Sequence, residues 1–101
     1  MNLYHAFSAI KSEKEFFNFL RDILTPTEIR EISARWNIAQ SLVLTPESQP
    51  RIAARFNCGR ATITRVSHKI YEEKNNGYKT VIQRLHPHAD FNKNIKKLKQ
   101  N

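Results

Sequence analysis

Residues 48–70 read SQPRIAARFNCGRATITRVSHKI, two short helical patterns separated by a turn signal. Ser48 suits an N-cap, and Pro50 falls in the first turn, where a missing N–H costs little. Ile52 and Phe56 stand four apart on one apolar edge, and Ala53 is small enough to admit a second helix closely. Asn57 and Gly59 both tolerate left-handed dihedrals, so either permits a sharp reversal. From Arg60 a second helix is predicted, running to about Lys74. Ile63, Val66 and Ile70 cluster within about 60° of its wheel. The opposite arc carries Arg60, Ala61, Thr64, Arg65 and His68, which is cationic, able to hydrogen-bond and free of large apolar groups. Such a helix fits a major groove: arginine pairs guanine, threonine reaches a base edge, and a small methyl touches thymine. The plainer reading is a helical hairpin with a solvated basic face.

The charge is placed unevenly. Residues 1–50 hold five Lys/Arg against six Asp/Glu, a balance of −1, and residues 51–101 hold twelve against three, a balance of +9. The near-neutral half therefore reads as scaffold and the basic half as contact surface. At 101 residues the chain is one domain by length, and a core this small gains from dimerisation. The single cysteine, Cys58, excludes an internal disulfide. It reads as a small buried hydrophobe, with a redox sensor as the alternative. No stretch has the length of a membrane span, and the first residues lack a signal peptide's pattern, so a cytoplasmic protein is expected.

Before residue 48 the pattern is helical throughout. Leu3, Phe7 and Ile10 predict a short helix over 2–10, and Ser12 with Glu15 forms a capping box for the next. In that next helix Phe16, Phe17, Phe19, Leu20, Ile23 and Leu24 cover a wide arc that demands burial in a core or a dimer interface. Thr25-Pro26-Thr27-Glu28 restarts the chain: Thr25 caps, Pro26 suits the first helical position, and Glu28 closes the box. Ile29, Ile32, Trp36, Ala39 and Val43 then give a central helix to about Leu44, widened by Ile38 and Leu42. Arg35 falls inside that apolar arc, so it must pair or snorkel. A salt bridge to Glu28, Glu31 or a partner chain is one reading, and a guanidinium awaiting an acidic ligand is the other.

Asn75-Asn76-Gly77 is a break, with Gly77 suited to a helix C′ position. Tyr78, Val81, Ile82 and Leu85 form a last amphipathic helix, which Pro87 stops. His86 and His88 lack a third donor, so no metal site is expected. Lys93, Lys96, Lys97 and Lys99 make a basic tail, read as flexible, that adds sequence-independent phosphate attraction or plain solubility. The organisation expected is a dimerisation segment over 1–46, a helix-turn-helix over 47–74, a C-terminal helix over 75–86 and the tail over 87–101. No nucleophile–base pair, carboxylate dyad or glycine-rich phosphate loop is present, so an enzyme is not expected. The rival to a DNA reader is a basic RNA- or ribosome-binding helical module, although the aromatics sit at core spacing rather than on a stacking platform.

Two blocks carry a resemblance. Leu24-Thr25-Pro26-Thr27-Glu28-Ile29-Arg30-Glu31, continuing to Arg35, is similar to a segment of the Trp repressor family. Ala61-Thr62-Ile63-Thr64-Arg65 resembles that family's recognition segment at the matching separation. Leu3-Tyr4, Arg35-Trp36, Thr64-Arg65-Val66 and Asn76-Gly77-Tyr78-Lys79 are similar to its YerC/YecD group. The resemblance implies an all-α, Trp repressor-like fold with a helix-turn-helix in an intertwined homodimer, and a transcriptional regulator, as a repressor, that binds double-stranded DNA. It puts Arg60, Ala61 and Thr64 on bases, with Gln49 and Thr62 near phosphates; Arg65 and His68 join them from the cationic arc. It puts a corepressor site at Thr25, Arg35 and Arg65, with Lys69 beside it. In this sequence Val66 replaces the glycine that leaves room for an indole. Lys69 replaces the serine that helps to hold the amino group. A different carboxylate- or phosphate-bearing ligand, or no ligand at all, therefore fits better than L-tryptophan, and no cofactor is implied with certainty.

Overall fold

The computed structural model describes residues 1–92; the basic residues Lys93, Lys96, Lys97 and Lys99 lie outside them. Six α-helices and no strand occur among the described residues: α1 (Leu3–Ser8), α2 (Glu13–Ile23), α3 (Pro26–Leu44), α4 (Gln49–Arg55), α5 (Arg60–Tyr71) and α6 (Gly77–Leu85). The expected all-α class is observed. Two compact units divide within α3, one spanning Met1–Ser33 and the other beginning at Ala34.

In the first unit, local chemistry sets the helix starts. The Thr25 hydroxyl accepts the Glu28 N–H at 3.1 Å, and the Glu28 carboxylate accepts the Thr25 N–H at 2.8 Å, a complete capping box. At α2 the Ser12 hydroxyl accepts the Glu15 N–H at 3.1 Å. The Glu15 carboxylate reaches back one residue further than the box pattern predicts, to the Lys11 N–H at 2.9 Å. Phe7 stacks on Phe16 and meets Phe19 edge-on, each with ring centroids 5.6 Å apart. No residue of this unit is buried, and Leu3, Phe16, Phe17, Ile23 and Ile32 are all exposed.

The second unit contains the core. Ile38, Ala39, Leu42 and Val43 of α3 meet Ile52 of α4, Ile63, Val66 and Ile70 of α5, and Ile82 of α6. Each fully buried aliphatic side chain here contributes about 1.5–3 kcal/mol relative to exposure. Trp36, Ala53, Phe56, Cys58, Tyr71 and Tyr78 close over this cluster. Helix α5 packs against both α4 and α6. The expected stripe of α6 divides: Ile82 is buried, whereas Val81 and Leu85 are exposed. Leu85 borders an open cleft of about 550 Å3, shared with Leu44, Pro46 and Pro87.

A polar clamp that the sequence did not announce ties the end of α3 to α4. The Arg55 guanidinium donates to both Glu47 carboxylate oxygens at 3.1 and 2.8 Å, and to the buried Ser41 hydroxyl at 2.6 Å. It also lies 4.4 Å from the centre of the Phe56 ring. The Arg55 hydrogen bond holds the Glu47 carboxyl below its ordinary range, although partial burial opposes this. A depressed folded-state pKa stabilises the fold above the unfolded value, about 4.3 for glutamate, and that contribution is lost as pH falls through the folded value. Glu47→Gln is therefore expected to lower the thermal midpoint at neutral pH, with the deficit shrinking below about pH 4. Thermal melts of both proteins from pH 7 to 3 check this; a deficit independent of pH would contradict it.

Candidate nucleic-acid interface

The turn between α4 and α5 sets the direction in which α5 runs. Asn57 takes the left-handed conformation, with φ of 50°. The Cys58 N–H donates to the Ala53 carbonyl at 3.0 Å and the Asn57 N–H to the Ala54 carbonyl at 3.3 Å. This is a Schellman closure with asparagine in the place where glycine is commonest. Gly59 is instead extended, with φ of −78° and ψ of 161°, and serves as the N-cap of α5 without a side-chain hydrogen bond. The reversal thus comes from Asn57, because its short side chain tolerates a conformation that bulkier residues avoid. Cys58 packs at the margin of the core, and burial pushes its thiol pKa up. A raised thiol is a weak nucleophile, which disfavours the redox-sensor reading.

Helix α5 presents two unlike sides. Ile63, Val66 and Ile70 are buried, joined by Ser67, while Arg60, Ala61, Thr64, Arg65 and His68 are exposed and Thr62 is half-buried. The arc expected to face a groove is therefore the solvent-facing arc. Its length also differs from expectation: α5 ends at Tyr71, where the Glu72 N–H donates to the His68 carbonyl at 2.9 Å. The next break turns on Asn76, with φ of 58°, and Gly77 opens α6 rather than closing α5. Arg60 and Arg65 make no ion pair among the described residues, so their guanidiniums are available to phosphates or base edges. Gln49, expected beside a phosphate, is 3% exposed, so its side chain is covered in this conformation.

The residues expected at a ligand site fall in both units. Thr25 belongs to the Met1–Ser33 unit, where its hydroxyl caps α3. Arg65 and Lys69 stand four apart on α5 and share a side of it. The Lys69 ammonium is paired with Glu73 at 3.2 Å. Arg35 is exposed and pairs with neither Glu28 nor Glu31, because it precedes the buried stretch of α3 and needs no counter-charge in solvent. Val66, the residue in place of the family's glycine, is 2% exposed and part of the core.

Sequence reasoning passed over two acidic residues at the far end of α5. Glu72 pairs with His68 and Glu73 with Lys69, both at i, i+4 spacing, and Glu73 also lies 3.7 Å from the other His68 ring nitrogen. That spacing was visible in the sequence as His68-Lys69 followed by Glu72-Glu73.

Among the described residues, no helix is long and apolar enough to cross a membrane, and no three His, Cys, Asp or Glu side chains gather as a metal site. No curated protein and no solved structure matches the chain. A family model described as Trp repressor protein matches residues 1–86. With six helices among the described residues, a cationic solvent-facing side on α5 and a match over most of its length, the chain belongs to the Trp repressor family of DNA-binding transcription regulators.

Proposed function

We propose that the protein is a cytoplasmic, homodimeric repressor that reads a two-fold-symmetric duplex site with one α5 helix per half-site. Half-sites would lie about 34 Å apart, one turn of DNA, so that two recognition helices enter successive major grooves. Arg60, Ala61 and Thr64 are the base readers, since the N-terminal end of a recognition helix is the end that meets base edges. Thr62, Arg65 and His68 lie beside them toward the backbone, with the Gln49 segment at the start of α4. Arg51 and the lysines of the tail supply affinity by counterion release.

The observation that carries this reading is the division of α5: its Ile63, Val66 and Ile70 side is buried while its cationic arc faces solvent. Assembly as a dimer is supported by the Met1–Ser33 unit, three helical segments rich in phenylalanine in which no residue is fully buried and Phe16 and Phe17 are exposed. Regulation would come from a small acidic ligand held by Arg35 and Arg65, rather than from L-tryptophan. The bulk of Val66 and the cation of Lys69 both disfavour an indole with an ammonium group. The Arg35-Trp36 and Asn76-Gly77-Tyr78-Lys79 segments favour the YerC/YecD group within the family.

Selection of bound sequences from random duplex DNA, with and without L-tryptophan, tests the whole reading. A two-fold-symmetric consensus unaffected by the amino acid is the result expected. Enrichment of no duplex motif, together with tighter binding to structured RNA at the same salt, would replace it with the RNA-module reading.

A further inference from the structure

From its contacts at the end of α5, we infer that Glu73, with Glu72 beside it, is a specificity-determining residue that limits sequence-independent attraction to DNA. The inference rests on α5 lying against duplex DNA and concerns how that same surface is regulated by its own charges. Arg60 and Arg65, toward the N-terminal end, carry no carboxylate partner among the described residues. At the other end Lys69 is tied to Glu73 at 3.2 Å, and His68 lies between Glu72 and Glu73. Positive charge is thus left bare where bases are read and is neutralised where the helix would run beside flanking phosphates.

Helix stability does not explain the two glutamates. Carboxylates at a helix C-terminus oppose the macrodipole, and exposed ion pairs contribute little to folding. What they do is hold cations. Glu73 is itself held in position, because its N–H donates to the His68 carbonyl at 3.1 Å and its carboxylate accepts from the Asn75 amide at 3.5 Å as well as from Lys69. A lysine already held by a carboxylate displaces fewer counterions from DNA than a free one, because part of its charge is already compensated. The expected consequence is weak binding to random duplex with little loss at the selected site, where the N-terminal arginines act.

The test is the salt dependence of binding to mixed-sequence duplex DNA for wild-type protein, Glu73→Gln, Lys69→Met and the double variant. Glu73→Gln should bind random duplex more tightly, with a slope of log affinity against log salt steeper by about 0.9, one phosphate contact. Its advantage over wild type should therefore shrink by about 3.5-fold between 50 and 200 mM salt. Lys69→Met alone should leave the wild-type slope unchanged, and in the Glu73→Gln background it should restore that slope. Non-additivity of this kind reports the pair rather than either residue. Thermal midpoints of all four proteins guard against a folding defect. Wild-type binding with an identical slope in Glu73→Gln would overturn this inference alone. Wild-type protein with no affinity for any duplex would overturn the DNA reading, and this inference with it.

Discussion

Replacing Arg60 by alanine is expected to lower affinity for a selected duplex site by about 5- to 150-fold, and affinity for random duplex far less. The magnitude follows from the loss of one bidentate arginine–guanine contact, about 1–3 kcal/mol, at about 1.4 kcal/mol per tenfold change. Arg60 is the first residue of α5, is exposed, and has no competing ion pair among the described residues. Its removal therefore takes away a contact without leaving a buried charge behind, and the fold should be unaffected. Substituting Lys93 or Lys96 should instead weaken selected and random duplexes alike and reduce the salt slope by about one per contact. Titration of both DNAs with both classes of variant separates the two roles. Equal losses from Arg60→Ala on the two DNAs would show that α5 does not read bases.

The parts of this surface that were legible in the sequence are those set by neighbours in the chain. The Thr25–Glu28 capping box, the Ser48 cap and the two sides of α5 depend on residues three or four apart, and all are observed. Turn geometry was only half legible. Asparagine and glycine both tolerate left-handed backbone, so Asn57 and Gly59 were both candidates at the first turn, and at the second Gly77 was expected where Asn76 is found. In both places the asparagine took the conformation and the glycine began the next helix. The Ser41–Glu47–Arg55 clamp spans eight and fourteen residues, a separation at which no periodicity signals contact. Arg35 shows the limit of a helical wheel. Its angle placed it among apolar residues, but α3 buries only the stretch from Ile38 to Val43, so a residue nearer its start meets solvent at the same angle.

Phe17 provides the second large effect: Phe17→Ser is expected to raise the dimer dissociation constant by about 10²- to 10⁴-fold. The ring is 57% exposed, and its one described aromatic contact is with the Arg21 guanidinium, 5.3 Å from the ring centre. Phe16 and Phe19, by contrast, pack on Phe7 within the chain. A change at Phe17 therefore probes association with little intrachain disturbance. Burying a phenylalanine contributes about 1.5–3 kcal/mol, and a two-fold dimer loses it twice, which gives about 3–6 kcal/mol in the dissociation free energy. A segment of 33 residues with no buried side chain cannot offset its own conformational entropy, so dimer loss should also melt α1 and α2. Sedimentation equilibrium should report a wild-type dimer at micromolar concentration and a Phe17→Ser monomer, with the wild-type melting temperature rising with concentration. Hydrogen exchange should find α1 and α2 protected in the dimer and unprotected in the variant, while the amides of α5 stay protected by the core of the second unit. A monomeric wild-type protein with α2 protected would exclude a second copy as the cover for these phenylalanines.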